Sequence, residues 1–343
     1  MRSVLALAGI VVVQFGLSTE AAAQAADRLN PIIALQEKGL PVFGISHPAI
    51  VRGGRGRGGP GGAGAPGAAR GGAAGGATAG AAAGTTAASD APPPPPLPEI
   101  VLGDVAKETV DYKRADYLFT SGTSETFLRY MEEIKKAGGS MRTHPFSAKV
   151  GIWHANPTNS NNAIIRQLNA GHVSVSAEAV ESAQEVRDVI KAMRFASAGG
   201  TRPDTGLAAA AAYWGLTVDQ YKQKADVWPL NKRGELFLSV IIESKEGIAK
   251  AREIVGEPGV GQVFVGYGTL GGVFRDDPAG REAAAATILA ACKEYKVPCG
   301  FPSNNAADME KRMGEGWTVH IMQRRDTAGF GAVEMGRKMG KRP

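Results

Sequence analysis

From residue 99 to the end of the chain, short apolar runs alternate with segments whose apolar side chains recur every three or four positions. The first pattern marks buried strands and the second amphipathic helices, so the alternation points to a parallel sheet covered by helices. The spacing predicts strands over Asp116–Thr120, Lys149–His154, Val173–Ser176, Leu236–Glu243, Gln262–Gly266, Val297–Phe301 and Thr318–Met322. Helices are predicted over Asp104–Tyr112, Glu125–Lys136, Ala163–Ala170, Ala183–Arg194, Lys245–Val255, Gly280–Lys296, Ala306–Gly314 and Ala328–Met339, with residues 196–231 irregular except for a short helix over Leu207–Trp214. Pro41–Ile45 precedes them as a first strand. Eight strand–helix units fit a closed α/β architecture, the (β/α)8 TIM barrel, better than an open doubly wound sheet.

Composition decides how much of the chain is available for that barrel. Residues 51–98 contain 15 Gly, 14 Ala and 8 Pro, which cannot bury enough apolar surface to offset the entropy of ordering them. They form a low-complexity insert. At the start, Met1-Arg2, an apolar run from Val4 to Leu17 and the small-x-small site Ala23-Gln24-Ala25 have the three regions of a secretory signal peptide over residues 1–25. Residues 26–50 then hold the first barrel strand and residues 99–343 the remainder, about 270 folding residues against the 250 or so that a barrel needs. The insert follows the first strand, so it leaves the barrel from the face on which such enzymes place their chemistry.

The leader implies an exported protein, periplasmic or extracellular, with no membrane contact after cleavage. The net charge of +6 suggests an anionic partner, but half of it comes from Arg52, Arg55, Arg57 and Arg70 against Asp90 in the insert. Their Arg-Gly run resembles RNA-binding segments yet lacks the aromatic residues that stack on bases, so the reading is a solvated spacer and no nucleic-acid partner. Cys292 and Cys299 fall on a helix and the strand after it. Two cysteines do not make a framework, and the expectation is a pair of buried free thiols.

Several motifs carry a resemblance. They are Asn30 to Gly44 (Asn-Pro-x-x-x-Leu-Gln-x-Lys-Gly-x-Pro-x-x-Gly), Ala115–Phe119, Leu168–Gly171, Ser182–Arg187, Val240–Ile248 and Gly259–Gly266. Together they resemble the HpcH/HpaI aldolase and citrate lyase β family from about Asn30 to the end, interrupted by the insert. The resemblance implies a barrel of the phosphoenolpyruvate/pyruvate type, usually a homo-oligomer, that makes or breaks a carbon–carbon bond in a small keto or hydroxy acid. In that chemistry a divalent metal (Mg, Mn or Co) held by two carboxylates stabilises an enolate, an Arg grips the acid and a His moves the proton.

Residue by residue, the correspondence is partial. Glu243 matches the first metal carboxylate. Thr269, in the segment that begins at Gly266, stands where the second is expected, and both are read as substrate-binding. Ser124 replaces the His after the second strand. The substrate Arg falls near Trp153-His154-Ala155, which makes His154 a catalytic candidate. Glu178, after the fourth strand, is a second candidate metal ligand, and with Glu243 and His154 it would rebuild a metal site at the barrel mouth. Arg202 is either a clamp for the substrate anion or part of a subunit interface, and the helix after it is expected to pack on a neighbouring subunit. Arg324 after the eighth strand is a further substrate candidate, with Gln323 and His47 nearby. His144, His172 and His320 are expected to be structural. Two functions remain open: an aldolase-like lyase with an altered site, or a catalytically silent exported barrel that binds a small carboxylic acid or acts as a scaffold.

Overall fold

The computed structural model describes residues 28–46, 101–111, 115–120, 125–324 and 326–341. The leader, the insert, His47 and Ser124 lie outside the described residues.

The described chain begins with helix α1 (Pro31–Glu37), started by the side chain of Asn30, which accepts from the Ile32 amide, and by Pro31 at the first helical position. Buried Glu235 accepts from the amides of Leu29 and Asn30 at 3.3 and 2.9 Å, and Arg28 pairs with both Glu37 and Glu235. This network pins the segment at residues 28–37 beside the start of the fifth barrel strand.

Eight parallel strands follow: β1 (Val42–Ser46), β2 (Tyr117–Thr120), β3 (Phe146–Val150), β4 (Ser174–Ala177), β5 (Leu236–Ile242), β6 (Val260–Val265), β7 (Cys299–Ser303) and β8 (Val319–Met322). Each pairs with its sequence neighbour; β8 returns to β1 through Phe43↔His320, and β4 joins β5 through Val175↔Leu238. The ring is closed, and a two-residue strand, Val227–Trp228, adds only to the start of β5. The connecting helices are α2 (Leu102–Val110), α3 (Glu125–Lys136), α4 (Pro157–Ala170), α5 (Ala183–Met193), α6 (Ala208–Trp214), α7 (Val218–Lys224), α8 (Lys245–Ala249), α9 (Ala251–Val255), α10 (Tyr267–Val273), α11 (Pro278–Tyr295), α12 (Ala306–Glu315) and α13 (Thr327–Met339). No helix among the described residues is long and apolar enough to cross a membrane.

Alternation along the strands separates two cores. The outward face of β3 puts Phe146 edge-on to Phe127 of α3, at 5.5 Å, and close to Tyr130. Burying such a side chain contributes on the order of 2–3 kcal/mol. The inward face is unusually polar for a barrel interior. Ser174 donates to Ser147 at 2.6 Å, Ser147 lies 3.2 Å from Ser176, and Gln262 donates to Ser239 at 3.3 Å. At Gly44 the ring of Tyr117 lies where a Cβ would sit, so only glycine leaves room for that tyrosine inside the barrel.

Several expectations shift. The third strand covers Phe146–Val150 rather than Lys149–His154: inward serines that satisfy one another make Phe146-Ser147-Ala148 a buried strand despite its polarity, and the ladder ends at Val150↔Ala177. The seventh strand starts at Cys299, because Lys296 turns left-handed (φ 57°) at the end of α11 and Val297 still donates to Cys292 in that cap. The helix expected at Lys245–Val255 is two pieces, broken where Lys250 leaves helical geometry (φ −107°). The supposedly irregular region holds α7 as well as α6. Helix α6 buries Tyr213 and Trp214 within its own chain, where they donate to the carbonyls of His144 and Gly171. The two cysteines are a disulfide, not free thiols: the turn at Lys296 brings the first residue of β7 back against the last turns of α11, with Cα atoms 5.9 Å apart.

His144, His172 and His320 are buried among helices and strand backs; Nδ1 of His172 lies 2.9 Å from the Gln167 carbonyl and His320 stacks on Phe43. Burial lowers both His172 and His320 from the ordinary 6.5 to about 4. Between those values the unfolded chain binds protons that the folded chain does not. The contribution of these two histidines to stability is therefore expected to be full above pH 6.5 and to fall as pH drops toward 4, by about 2–3 kcal/mol per histidine. Urea denaturation across this range should show the slope, and replacing either histidine with Gln should make it shallower.

Candidate active site

Strand β5 delivers Glu243 to the C-terminal rim of the barrel, and Ser244 then starts α8 by accepting from the Gly247 amide at 3.0 Å. The parity that turns Ile242 outward turns Glu243 inward. There its side chain lies on Gly266, the residue that follows β6; a Cβ at that position would come within 2.1 Å of Glu243 Oε2. Glu243 is only 8% exposed. Desolvation raises its carboxyl above the ordinary range, the hydrogen bond from Thr269 and the charge of Lys149 oppose the rise, and Glu178 adds to it. Thr269 sits in α10, whose start at Gly266 places it against that carboxylate. Gly266, Thr269 and Glu243 are thus brought together.

Glu178 leaves β4 on the same side of the ring. Its Oε1 lies 2.7 Å from Lys149 Nζ, and both side chains are 28% exposed, so the pair is open to the mouth of the barrel. Lys149 lies on the inward face of β3, opposite Ser176 of β4, and its carbonyl accepts from Gln167 at 2.8 Å. It is a side chain at the rim that the sequence pattern did not single out. Placing the third strand too late made Lys149 its beginning, whereas the alternation of Ser147 and Lys149 already marks both as inward.

The other candidates do not converge. His154 is in the turn beyond β3, 3.3 Å from Glu185 and 3.9 Å from Glu181, at the entrance of α5. It does not join Glu178 and Glu243 as a ligand, because the chain leaves the barrel wall at Gly151 and carries His154 outward toward that helix. Arg202 is fully buried. It donates to Asn169 and to the Tyr221 hydroxyl at 3.1 and 2.8 Å, with its guanidinium 4.4 Å from the centre of the Phe195 ring. It anchors the segment after α5 to α4 and α7, so its guanidinium is not open to the barrel mouth as a substrate clamp. Arg324 follows β8 at the rim but is exposed and held by Asp326, which also caps α13. Among the described residues, no three His, Cys, Asp or Glu side chains are gathered as a metal site.

The site as built contains a desolvated carboxyl, an ammonium–carboxylate pair and a hydroxyl. Such an arrangement can exchange protons and stabilise negative charge on a small acid. Because the folded chain disfavours the ionised form of Glu243, stability is lost as pH rises beyond the ordinary carboxylate range; Glu243→Gln is expected to raise the Tm at neutral pH and to have less effect in acid. Gly266→Ala should cost about 1–3 kcal/mol in chemical denaturation, since its Cβ collides with the Glu243 side chain.

Comparison with known proteins bears on the fold. No protein-family model matches the chain. A hydroxypyruvate/pyruvate aldolase of Paraburkholderia phytofirmans is 28% identical over 158 residues, 44% of this chain. The match spans 58% of that curated relative's length. An HpcH/HpaI aldolase/citrate lyase family protein from Burkholderia cenocepacia superposes with a TM-score of 0.57 at 15% identity, covering 94% of this chain and 97% of its own. The HpcH/HpaI aldolase of Desulfitobacterium hafniense gives 0.52 at 16% identity, covering 71% of this chain and 90% of its own. At such identities the superpositions establish the fold. A closed eight-strand barrel with a buried glutamate at the end of its fifth strand, similar in sequence to an aldolase, makes this chain similar to the HpcH/HpaI aldolase/citrate lyase proteins and gives it their fold.

Proposed function

We propose that the protein is an aldolase-like carbon–carbon lyase acting on a small 2-keto acid that carries a hydroxyl group. The observation that carries this reading is Glu243, desolvated against Gly266 and hydrogen-bonded by Thr269, with the Lys149–Glu178 pair beside it at the barrel mouth. A carboxyl whose ionised form is disfavoured accepts and returns protons at a reacting centre, which contributes roughly 10²–10⁴-fold to such steps. Thr269 orients it. Lys149 supplies positive charge for an anionic substrate, and its partly exposed head is where an acid entering the mouth would meet it. The likeness to a hydroxypyruvate/pyruvate aldolase supports the substrate class.

The donor set does not fit the divalent cation that the resemblance implies. Thr269 is a neutral oxygen where a carboxylate is needed, Glu178 is engaged by Lys149, and His154 faces Glu181 and Glu185. Proton transfer and charge stabilisation therefore fall to the chain's own groups. Export belongs to the same proposal: the Cys292–Cys299 bridge supports it, because disulfides persist in oxidising compartments. Assembly into a homo-oligomer enters it through the likeness alone.

Cleavage of hydroxy-substituted 2-keto acids, followed by release of pyruvate, tests the reading. Glu243→Gln is expected to lower kcat by about 10²–10⁴-fold without loss of fold, and a chelator is expected to leave both the rate and the Tm unchanged. A wild-type protein that binds pyruvate but cleaves nothing would instead be the silent binding barrel.

A further inference from the structure

Helix α10 carries Thr269 to Glu243, yet little in its own sequence makes it a helix. Three of its seven residues are glycine, each of which makes a helix roughly four- to five-fold less favourable than alanine would. No side chain caps its start at Gly266, and of its residues only Leu270 is buried. Thr269 is itself exposed, so packing around its own side chain does not fix where its hydroxyl points. The order of this segment comes from its neighbour α11. Arg281, in the first turn of α11, stacks its guanidinium on the ring of Tyr267, 3.5 Å from the centre, and donates to the Tyr267 carbonyl. It also lies over the far end of the helix. A Cβ at Gly271 would come within 3.2 Å of Arg281 Cζ, so that glycine makes room for the guanidinium, whereas Gly268 and Gly272 face open space and have no such reason. The next residue, Glu282, accepts from the Tyr267 hydroxyl and is gripped by both terminal nitrogens of Arg312 on α12, each at 2.8 Å.

We propose that Arg281 is a positioning residue of the barrel mouth: it holds the glycine-rich α10 against α11, and through that helix keeps Thr269 on Glu243. The inference rests on the lyase reading above for its consequence in catalysis, while the clamp itself rests on geometry. Arg281 grips the Tyr267 ring and carbonyl at one end of α10 and covers Gly271 near the other, and Thr269 lies between them. Such a clamp calls for a planar cation, because a guanidinium can cover an aromatic face while its edge donates to a carbonyl, which a compact ammonium does less well. With the clamp removed, the glycines of α10 favour the uncoiled chain and Thr269 leaves the carboxyl, so Glu243 loses the donor that orients it.

The test is hydrogen exchange of the full chain, read by mass spectrometry over residues 267–273, beside kcat and KM for cleavage of hydroxy-substituted 2-keto acids. In Arg281→Met, exchange over residues 267–273 is expected to quicken by roughly tenfold or more while the eight strands keep their protection; Arg281→Lys should fall between this variant and the wild type. Adding Gly268→Ala and Gly272→Ala to Arg281→Met should restore slow exchange, because alanine fits the open space and favours the helix. Arg281→Met and Thr269→Ala should each lower kcat by about tenfold, more than they raise KM, and the double variant should lose little more than either alone. Unchanged exchange over residues 267–273, faster exchange spread through the strands as well, or losses of kcat that multiply would overturn the positioning role and leave the lyase reading standing. A wild type that cleaves nothing would overturn the lyase reading, and exchange alone would then decide for or against the clamp.

Discussion

Ring closure is the constraint from which the rest of this structure follows. Parallel strands carry unpaired amide and carbonyl groups at any open edge, and here the pairing of β4 with β5 and of β8 with β1 leaves none in the ring. Once closed, each strand has one face turned to helices and one to a narrow interior. That division lets serines occupy buried positions: Ser147, Ser174 and Ser176 satisfy one another inside, while Phe146 on the opposite face packs against α3. Closure also gathers the ends of all eight strands into one rim, so that residues far apart in sequence meet.

What meets at that rim is held against its own preference. Glu243 has little water around it, and Gly266 provides its space only by lacking a side chain. A surface glutamate would cost less and would ionise normally. The ion pair of Lys149 with Glu178 keeps a second charge close to that carboxyl without burying it completely. The groups at this rim are drawn from β3, β4, β5 and α10.

Polar residues that resemble site groups in the sequence serve the barrel elsewhere. Arg202 lies in a loop segment rich in glycine, which reads as a site or an interface, yet its guanidinium joins α4 and α7 through Asn169, Tyr221 and the ring of Phe195. His154 reads as a strand end because Ile152 and Trp153 are apolar, but Ile152 is 37% exposed and the chain is already turning there. The disulfide is hidden for a related reason. Seven residues separate its cysteines in sequence, and only the left-handed turn at Lys296 folds them face to face.

Periodicity alone determined the class of fold, because period-two and period-3.6 patterns record which faces are buried regardless of which partner buries them. It placed Glu243 correctly, since the long apolar run of β5 makes the strand end plain, and the motif resemblance identified Gly266 and Thr269 as its neighbours. Tertiary structure decided the rest. A shift of β3 by three residues at its start and four at its end puts Lys149 rather than His154 at the rim, and polar residues inside the barrel mask that boundary in the sequence. Which charges pair, which arginine is buried and which cysteines bond depend on distances between segments that no local pattern encodes.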